Sequence, residues 1–181
     1  MPAIIQNIDE SIMLFFQEHI RCGVLNPIMV FVTYLGEAGA LWIIIALYLI
    51  ISKKNSPMGV DILVSVVLCF CINDLIIKNI FMRPRPFLTV PGLESIVRIT
   101  FSSSFPSGHA CAGFAASYAI TKDSGGKLAW VYVVAALIAI SRVYVGVHYT
   151  TDIIFGALIG TLGSIVLLKL RRKFFPMKGE L

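Results

Sequence analysis

Apolar residues fall along this chain in five blocks: 28–51, 60–81, 107–121, 128–147 and 153–170. A membrane-spanning helix needs about 20 largely apolar residues, and each block meets or approaches that length. Polar interruptions inside them are few: Glu37 in the first, Asp61, Asp74 and Lys78 in the second, His109 in the third and Arg142 in the fourth. The third block is short. Its 15 residues reach about 22 Å as a helix, against a hydrocarbon core of about 30 Å. Chemistry at its N-terminal end is therefore expected below the membrane surface.

Residues 4–20 read differently. Ile5, Ile8, Ile12, Phe15 and Phe16 recur at helical spacing, while Asp9, Glu10, Gln17 and Glu18 take other positions. This pattern predicts an amphipathic helix lying in the membrane interface, with a helix packed into the bundle as the alternative. The expected fold is an all-α integral-membrane bundle of about five transmembrane helices preceded by that interfacial helix. It forms one domain over 1–181: helix and linker 1–26, transmembrane core 27–173, tail 174–181.

Composition agrees: 57% of residues are hydrophobic and 14% charged, where soluble domains carry about 25% charged residues. The formal net charge is +5, but the basic residues are dispersed between apolar blocks and show no nucleic-acid-binding pattern. They do order the loops. Lys53 and Lys54, Lys122 and Lys127, and the tail residues Lys169, Arg171, Arg172, Lys173 and Lys178 supply nine of the 15 basic side chains. Five alternating spans put all nine on one side, which the positive-inside rule makes cytoplasmic. The N-terminal segment, 82–106 and 147–152 then face outward. Cys22, Cys69, Cys71 and Cys111 show no metal-ligand spacing and read as small packing residues. No secretory signal pattern precedes the spans, and the first basic side chain is Arg21, so membrane retention is expected from the spans themselves.

Ionisable groups inside spans are costly and usually functional. Lys78, Arg142, His109, His148 and Asp152 all fall at outer span ends, a face drawn from charges elsewhere in the chain. Lys78, Arg85 and Arg142 offer cations that suit a phosphate. Ser107 and Gly108 open a helix whose free N–H groups add donors. His148 and Asp152 are four apart and share a helix face, so Asp152 can fix the tautomer of His148. His109 can protonate a leaving oxygen. A two-histidine, one-aspartate metal site is the alternative, and the neighbouring cations argue against it.

Three motifs occur in order: Lys78-x6-Arg85-Pro86, Pro106-Ser107-Gly108-His109, and Ser141-Arg142-x5-His148-x3-Asp152. Together they resemble the type 2 phosphatidic acid phosphatase family. The resemblance implies hydrolysis in two steps with no metal or other cofactor. It makes His148 the nucleophile that forms a phosphohistidine and Asp152 its orienting partner. His109 becomes the general acid and then the base for water, and Lys78, Arg85, Ser107, Gly108 and Arg142 the phosphate ligands. Many family members have six spans; here the first is replaced by the amphipathic segment.

The partners implied are the bilayer and a lipid-borne phosphate, with no nucleic acid. The leading substrate is undecaprenyl diphosphate, cleaved on the outer face of a bacterial cell (inner) membrane. Phosphatidylglycerol phosphate, phosphatidic acid and lipid A phosphates fit the same residues. A phosphotransferase using the same phosphohistidine is a second reading, and a non-catalytic transporter a third, disfavoured because the polar residues cluster at one end above an apolar inner half. Asp74 neutralises Lys78 or simply packs with it. Glu37 faces the site mouth or a neighbouring helix. Arg83 assists the phosphate or is a solvated loop residue. Arg98 and Glu94 read as ordinary loop charges. Gly156 and Gly160 form a small-xxx-small pattern that serves packing within the bundle or a homodimer interface.

Overall fold

The computed structural model describes residues 2–98 and 102–176, and no β-strand occurs among them. The N-terminal helix α1 (Ala3–Phe15) continues as one wide π turn, Phe16–Ile20. The first apolar block is a bent pair, α2 (Leu25–Leu35) and α3 (Ala40–Ile51), kinked by 47° at Glu37–Gly39. Ala38 (φ 49°) and Gly39 (φ 73°) are left-handed there, which breaks the hydrogen-bond ladder and makes the kink. The second block is α4 (Ser56–Phe70), the π segment Cys71–Ile77 and the short α5 (Lys78–Phe81), followed by α6 (Pro86–Thr89). Then come α7 (Gly108–Asp123), α8 (Val131–Tyr144) and α9 (Thr150–Phe174).

All five expected blocks are helical. By length and composition Ser56–Thr89 and Thr150–Phe174 each suffice to cross a membrane, and the bent pair makes a third. The other two, α7 and α8, have 16 and 14 residues, or about 24 and 21 Å of helix. Short length is tolerable for α7 because it is the central post of the bundle. Its Ala110, Cys111, Ala112, Ala115, Ala116 and Ala119 are buried around the whole circumference, so α4, α8 and α9 rather than lipid set its surroundings. Exposed Ile44, Ile51, Leu75, Ile80, Val133, Leu158 and Leu162 on the outer helices form the apolar belt. Trp130, Phe174 and Phe175 are exposed near the end that carries the basic loops, where a membrane interface favours aromatic side chains.

Small residues let α9 approach α7 at backbone distance. A Cβ on Gly156 would lie 2.5 Å from the Ser107 carbonyl oxygen, and one on Gly160 would lie 2.1 Å from that of Cys111. The Gly156/Gly160 face is therefore occupied by α7 inside the bundle and is not available to a second copy. Packing, not dimerisation, explains the pattern.

The two ends differ from expectation in instructive ways. At the end carrying Lys53, Lys122 and Lys169, α4, α7 and α9 are tied by ions. Arg172 Nη2 lies 2.7 Å from Asp61 Oδ2 and also pairs with Asp123, and Arg171 pairs with Asp61. The inner half is thus not wholly apolar. The apolar layer lies between this cluster and the opposite end, built on Trp42, Ile62, Val66, Ala112, Ala116 and Ile138. These pairings also place three of the basic regions at one end, as the charge count required; Lys178 lies outside the described residues. At the other end, α1 is amphipathic but seats a mixed face inward, Asp9 beside the core residue Met13. Asp9 and Met13 are buried, whereas Ile4, Ile8 and Phe15 are exposed. The apolar residues face the surroundings because Asp9 finds an ionic partner within the bundle.

The α7–α9 contact gives a stability prediction. Gly160→Ala forces a methyl group against the Cys111 carbonyl and costs about 1–3 kcal/mol, read as a lower unfolding temperature in detergent. Gly23→Ala, with nothing within 4 Å of the added carbon, leaves that temperature unchanged. Equal behaviour of the two variants would show that α7 and α9 do not pack this closely.

Candidate active site

A cavity of about 700 Å³ opens at the α1 end. Six of the eight expected site residues line it: Lys78, Arg85, Gly108, His109, Arg142 and His148. They come from four places in the chain, and local structure aims each one. The π segment Cys71–Ile77 accommodates extra residues in its turns, which rotates the following residues relative to an ideal helix and directs Asp74 and Lys78 to the cavity. The two are ion-paired. Asn73 Nδ2 donates to Asp74 Oδ2 (3.2 Å) and to the Pro106 carbonyl (3.3 Å), clamping the pair to the loop before α7. Gly108 makes room for it: a Cβ there would lie 3.1 Å from Asp74 Oδ2.

The arginines are anchored by neutral groups, leaving their charge unspent. Arg85, 4% exposed, donates Nε to the Ser102 carbonyl (2.9 Å), Nη2 to Ser102 Oγ (2.9 Å) and Nη1 to the Val147 carbonyl (3.1 Å). Arg142 Nη1 donates to Thr33 Oγ1 at 2.7 Å. Neutral acceptors fix the guanidiniums without cancelling their attraction for an anion.

His148 lies in the tight connection between α8 and α9, 2% exposed. Its Nε2 stands 3.4 Å from Arg85 Nη1, and its Nδ1 stands 3.5 Å from Asp152 Oδ2. Asp152 lies behind it, away from the cavity, and is held independently. Its Oδ2 accepts the Tyr149 N–H (2.9 Å) and its Oδ1 accepts Arg83 Nη1 (2.6 Å). The 3.5 Å separation exceeds an ordinary hydrogen bond, as is common for catalytic pairs without substrate. Burial first, then Arg85, Arg142 and Lys78, hold the imidazole well below its ordinary pKa of 6.5. The ring is therefore neutral, with Nε2 available to the cavity when Nδ1 carries the proton.

His109 occupies the first turn of α7 and faces the same cavity. Its Nε2 is 3.6 Å from Glu37 Oε2, so Glu37 faces the site mouth. Ser107 is placed differently from expectation. Its side chain is buried and caps α7, Oγ accepting the Ala110 N–H at 3.5 Å, while its N–H donates to the Asp152 carbonyl at 3.0 Å. Capping satisfies an orphan donor at the helix start, and Ser107 is not among the residues that line the cavity. Arg98 lines the cavity rim. Arg83 is neither a solvated loop residue nor a cavity residue: it is 9% exposed and bridges Asp9 and Asp152. Thr33, Ser102, Asn73 and Asp9 support the site and were not singled out as site residues. Nothing in a local pattern distinguishes a Thr or Ser that meets an arginine from far along the chain.

Among the described residues, no group of three or more His, Cys, Asp or Glu side chains is arranged to hold a metal ion. The cavity brings three cationic side chains and two imidazoles together, and a buried carboxylate stands behind one of the rings.

The chain is 30% identical over 159 residues to an undecaprenyl-diphosphatase of Sulfolobus acidocaldarius, covering 86% of this chain and 76% of that protein. Its fold superimposes on the PAP2-type phosphatidylglycerolphosphate phosphatase of Bacillus subtilis with a TM-score of 0.74 at 28% identity, over 97% of this chain and 90% of that one. LpxE of Aquifex aeolicus gives a TM-score of 0.69 at 26% identity, over 92% and 96%. All eight candidate residues fall within residues 58–176, the stretch that matches the PAP2 superfamily, and the chain belongs to that superfamily.

Proposed function

We propose that the protein is a membrane lipid phosphatase that removes a terminal phosphate through a phosphohistidine on His148. The observation that carries this reading is the cavity itself. Two imidazoles share it with Lys78, Arg85 and Arg142, and its rim includes the exposed side chains of Tyr34 and Phe70 on the bundle's flank. A phosphate held by the cations and a lipid tail lying against that apolar flank satisfy both halves of the site.

His148 Nε2 attacks phosphorus, forming the N–P bond as the bond to the leaving oxygen breaks. His109 gives that oxygen its proton. Asp152 supports the ring, which carries positive charge once Nε2 is phosphorylated and Nδ1 keeps its proton. Water, deprotonated by His109, then attacks phosphorus, releasing inorganic phosphate and restoring neutral His148. The cations stabilise the charge developing on the phosphoryl oxygens. No step uses a metal.

Undecaprenyl diphosphate is the leading substrate, supported by the identity to the undecaprenyl-diphosphatase noted above. The structural relatives named for phosphatidylglycerolphosphate and LpxE make glycerophospholipid and lipid A phosphates the next to test. We further propose that the site opens on the extracytoplasmic side of a bacterial cell membrane, opposite the Lys53/Lys122/Lys169 end, and that 1–181 is one functional domain.

Purified protein is expected to release phosphate from undecaprenyl diphosphate in the presence of EDTA, and His148→Ala to lose at least about a thousandfold in kcat. Retained activity in the variant would remove His148 as nucleophile; loss of wild-type activity in EDTA would overturn the metal-free route. In kcat/KM against pH, the limb that falls on acidification reports protonation of His148. Because its pKa is depressed, the neutral form persists to lower pH, and that limb is expected below 6.5; a limb above that value contradicts the assignment. For orientation, a cysteine introduced at Lys54 should resist impermeant thiol reagent in intact cells, and its labelling would invert the topology.

A further inference from the structure

Arg83 joins the first helix of the chain to the last. Its Nη2 donates to Asp9 Oδ2 and Gln6 Oε1, both at 2.8 Å; its Nη1 donates to Asp152 Oδ1 at 2.6 Å and Thr151 Oγ1 at 2.8 Å. The guanidinium also lies over the Tyr149 ring, 3.7 Å from its centroid. Thr151 closes the circuit, its N–H donating to Asp9 Oδ1 at 3.0 Å and its hydroxyl bonding Asp9 as well. Asp9 and Asp152 are 1% and 0% exposed.

Two buried carboxylates thus share one buried guanidinium, and the trio carries a surplus negative charge. Burying unbalanced charge is costly, so a partner is expected at the moment the site works. His148 is that partner. The charged or titratable groups facing it are Arg85 from the segment before α6, Lys78 from α5, Arg142 from α8, His109 from α7 and Asp152 from α9. Asp74 and Glu37 line the same cavity but stand against Lys78 and His109, so Asp152 is the carboxylate that meets the ring. If Arg83 served Asp152 only, the carboxylate would be neutralised before it could support a cationic ring. With Asp9 taking the other edge of the fork, Arg83 fixes the geometry of Asp152 while leaving its charge effective.

We propose that Asp9 and Arg83 are positioning residues of the active site, Arg83 orienting Asp152 toward His148 and Asp9 balancing Arg83 so that Asp152 keeps its negative charge. The proposal rests on His148 being the nucleophile. It gives α1 a role beyond membrane contact: the helix delivers one charge to the network behind the catalytic pair.

Asp9→Asn keeps the shape and removes the charge. In the full chain, kcat is expected to fall about tenfold or more, one step on the free-energy scale, with KM within about twofold. Local charge becomes more positive, so His148 is harder to protonate and the acidic limb of kcat/KM moves to lower pH. Gln17→Ala is the control for helix seating. Gln17 holds the same segment to the Gly92–Glu94 loop by bonds of 2.7 and 2.8 Å without touching the network, so its loss lowers the unfolding temperature but leaves kcat and the limb unchanged. Arg83→Lys, which keeps the charge but not the fork, should lower kcat without the shift in the limb, and it carries the test if Asp9→Asn does not fold. Unchanged kcat or an unmoved limb in Asp9→Asn, or full activity in Arg83→Lys, overturns the proposal. Activity surviving in His148→Ala would instead overturn the functional reading beneath it.

Discussion

A charge placed at membrane depth must have a partner, and this molecule is arranged around that constraint. Ionised groups lose their hydration when buried, so a bundle that needs cations for phosphate has to hold them by other means. Two means are used. Arg85 and Arg142 are fixed by carbonyl and hydroxyl acceptors from Ser102, Val147 and Thr33, which set their positions without discharging them. Lys78 and Arg83 are instead paired with carboxylates. The division follows position: the neutral-anchored arginines line the cavity beside His148, whereas Arg83 lies behind it.

The requirement that these groups converge explains the packing. Four separate stretches of chain must reach one point, and α7 is the post they meet on. Its alanine-rich surface lets α9 close to backbone distance at Gly156 and Gly160. That closeness allows the Ser107 N–H to donate to the Asp152 carbonyl, coupling the start of α7 directly to the start of α9. The His109 and His148 segments are therefore held in fixed relation by main chain, which is stiffer than any pair of side chains. The kink at Glu37–Gly39 and the wide turns at Cys71–Ile77 complete the walls by bringing Glu37 and Lys78 inward.

Solved relatives named for phosphatidylglycerolphosphate and LpxE share this fold, and an undecaprenyl-diphosphatase is similar in sequence. Those names differ in the lipid and share a phosphate, the group that the proposed function assigns to the cations and imidazoles of the cavity. On that proposal the lipid would meet the rim, where Tyr34, Glu37, Phe70 and Arg98 stand. These are not motif residues, which is why the motifs identify the reaction class more sharply than the substrate.

By itself the sequence determined the five apolar elements, the end of the bundle that carries the basic loops, and the residues of the three motifs. Each is a local property: hydropathy over one helix length, charge in one loop, or spacing within one turn. Spacing fixes which residues lie together within each motif, but that six of the eight share one cavity is the work of helix packing. Only the tertiary structure decided the rest. Helical periodicity shows that α1 has an apolar face but not what its other face meets, so a buried Asp9 bonded to Thr151, 142 positions away, is invisible in sequence. The same limit hid Thr33 beneath Arg142, turned Ser107 into a cap, assigned the glycine stripe to α7, and put Arg83 between two carboxylates. Such contacts depend on which helices become neighbours, and that is set by packing and charge balance across the whole bundle.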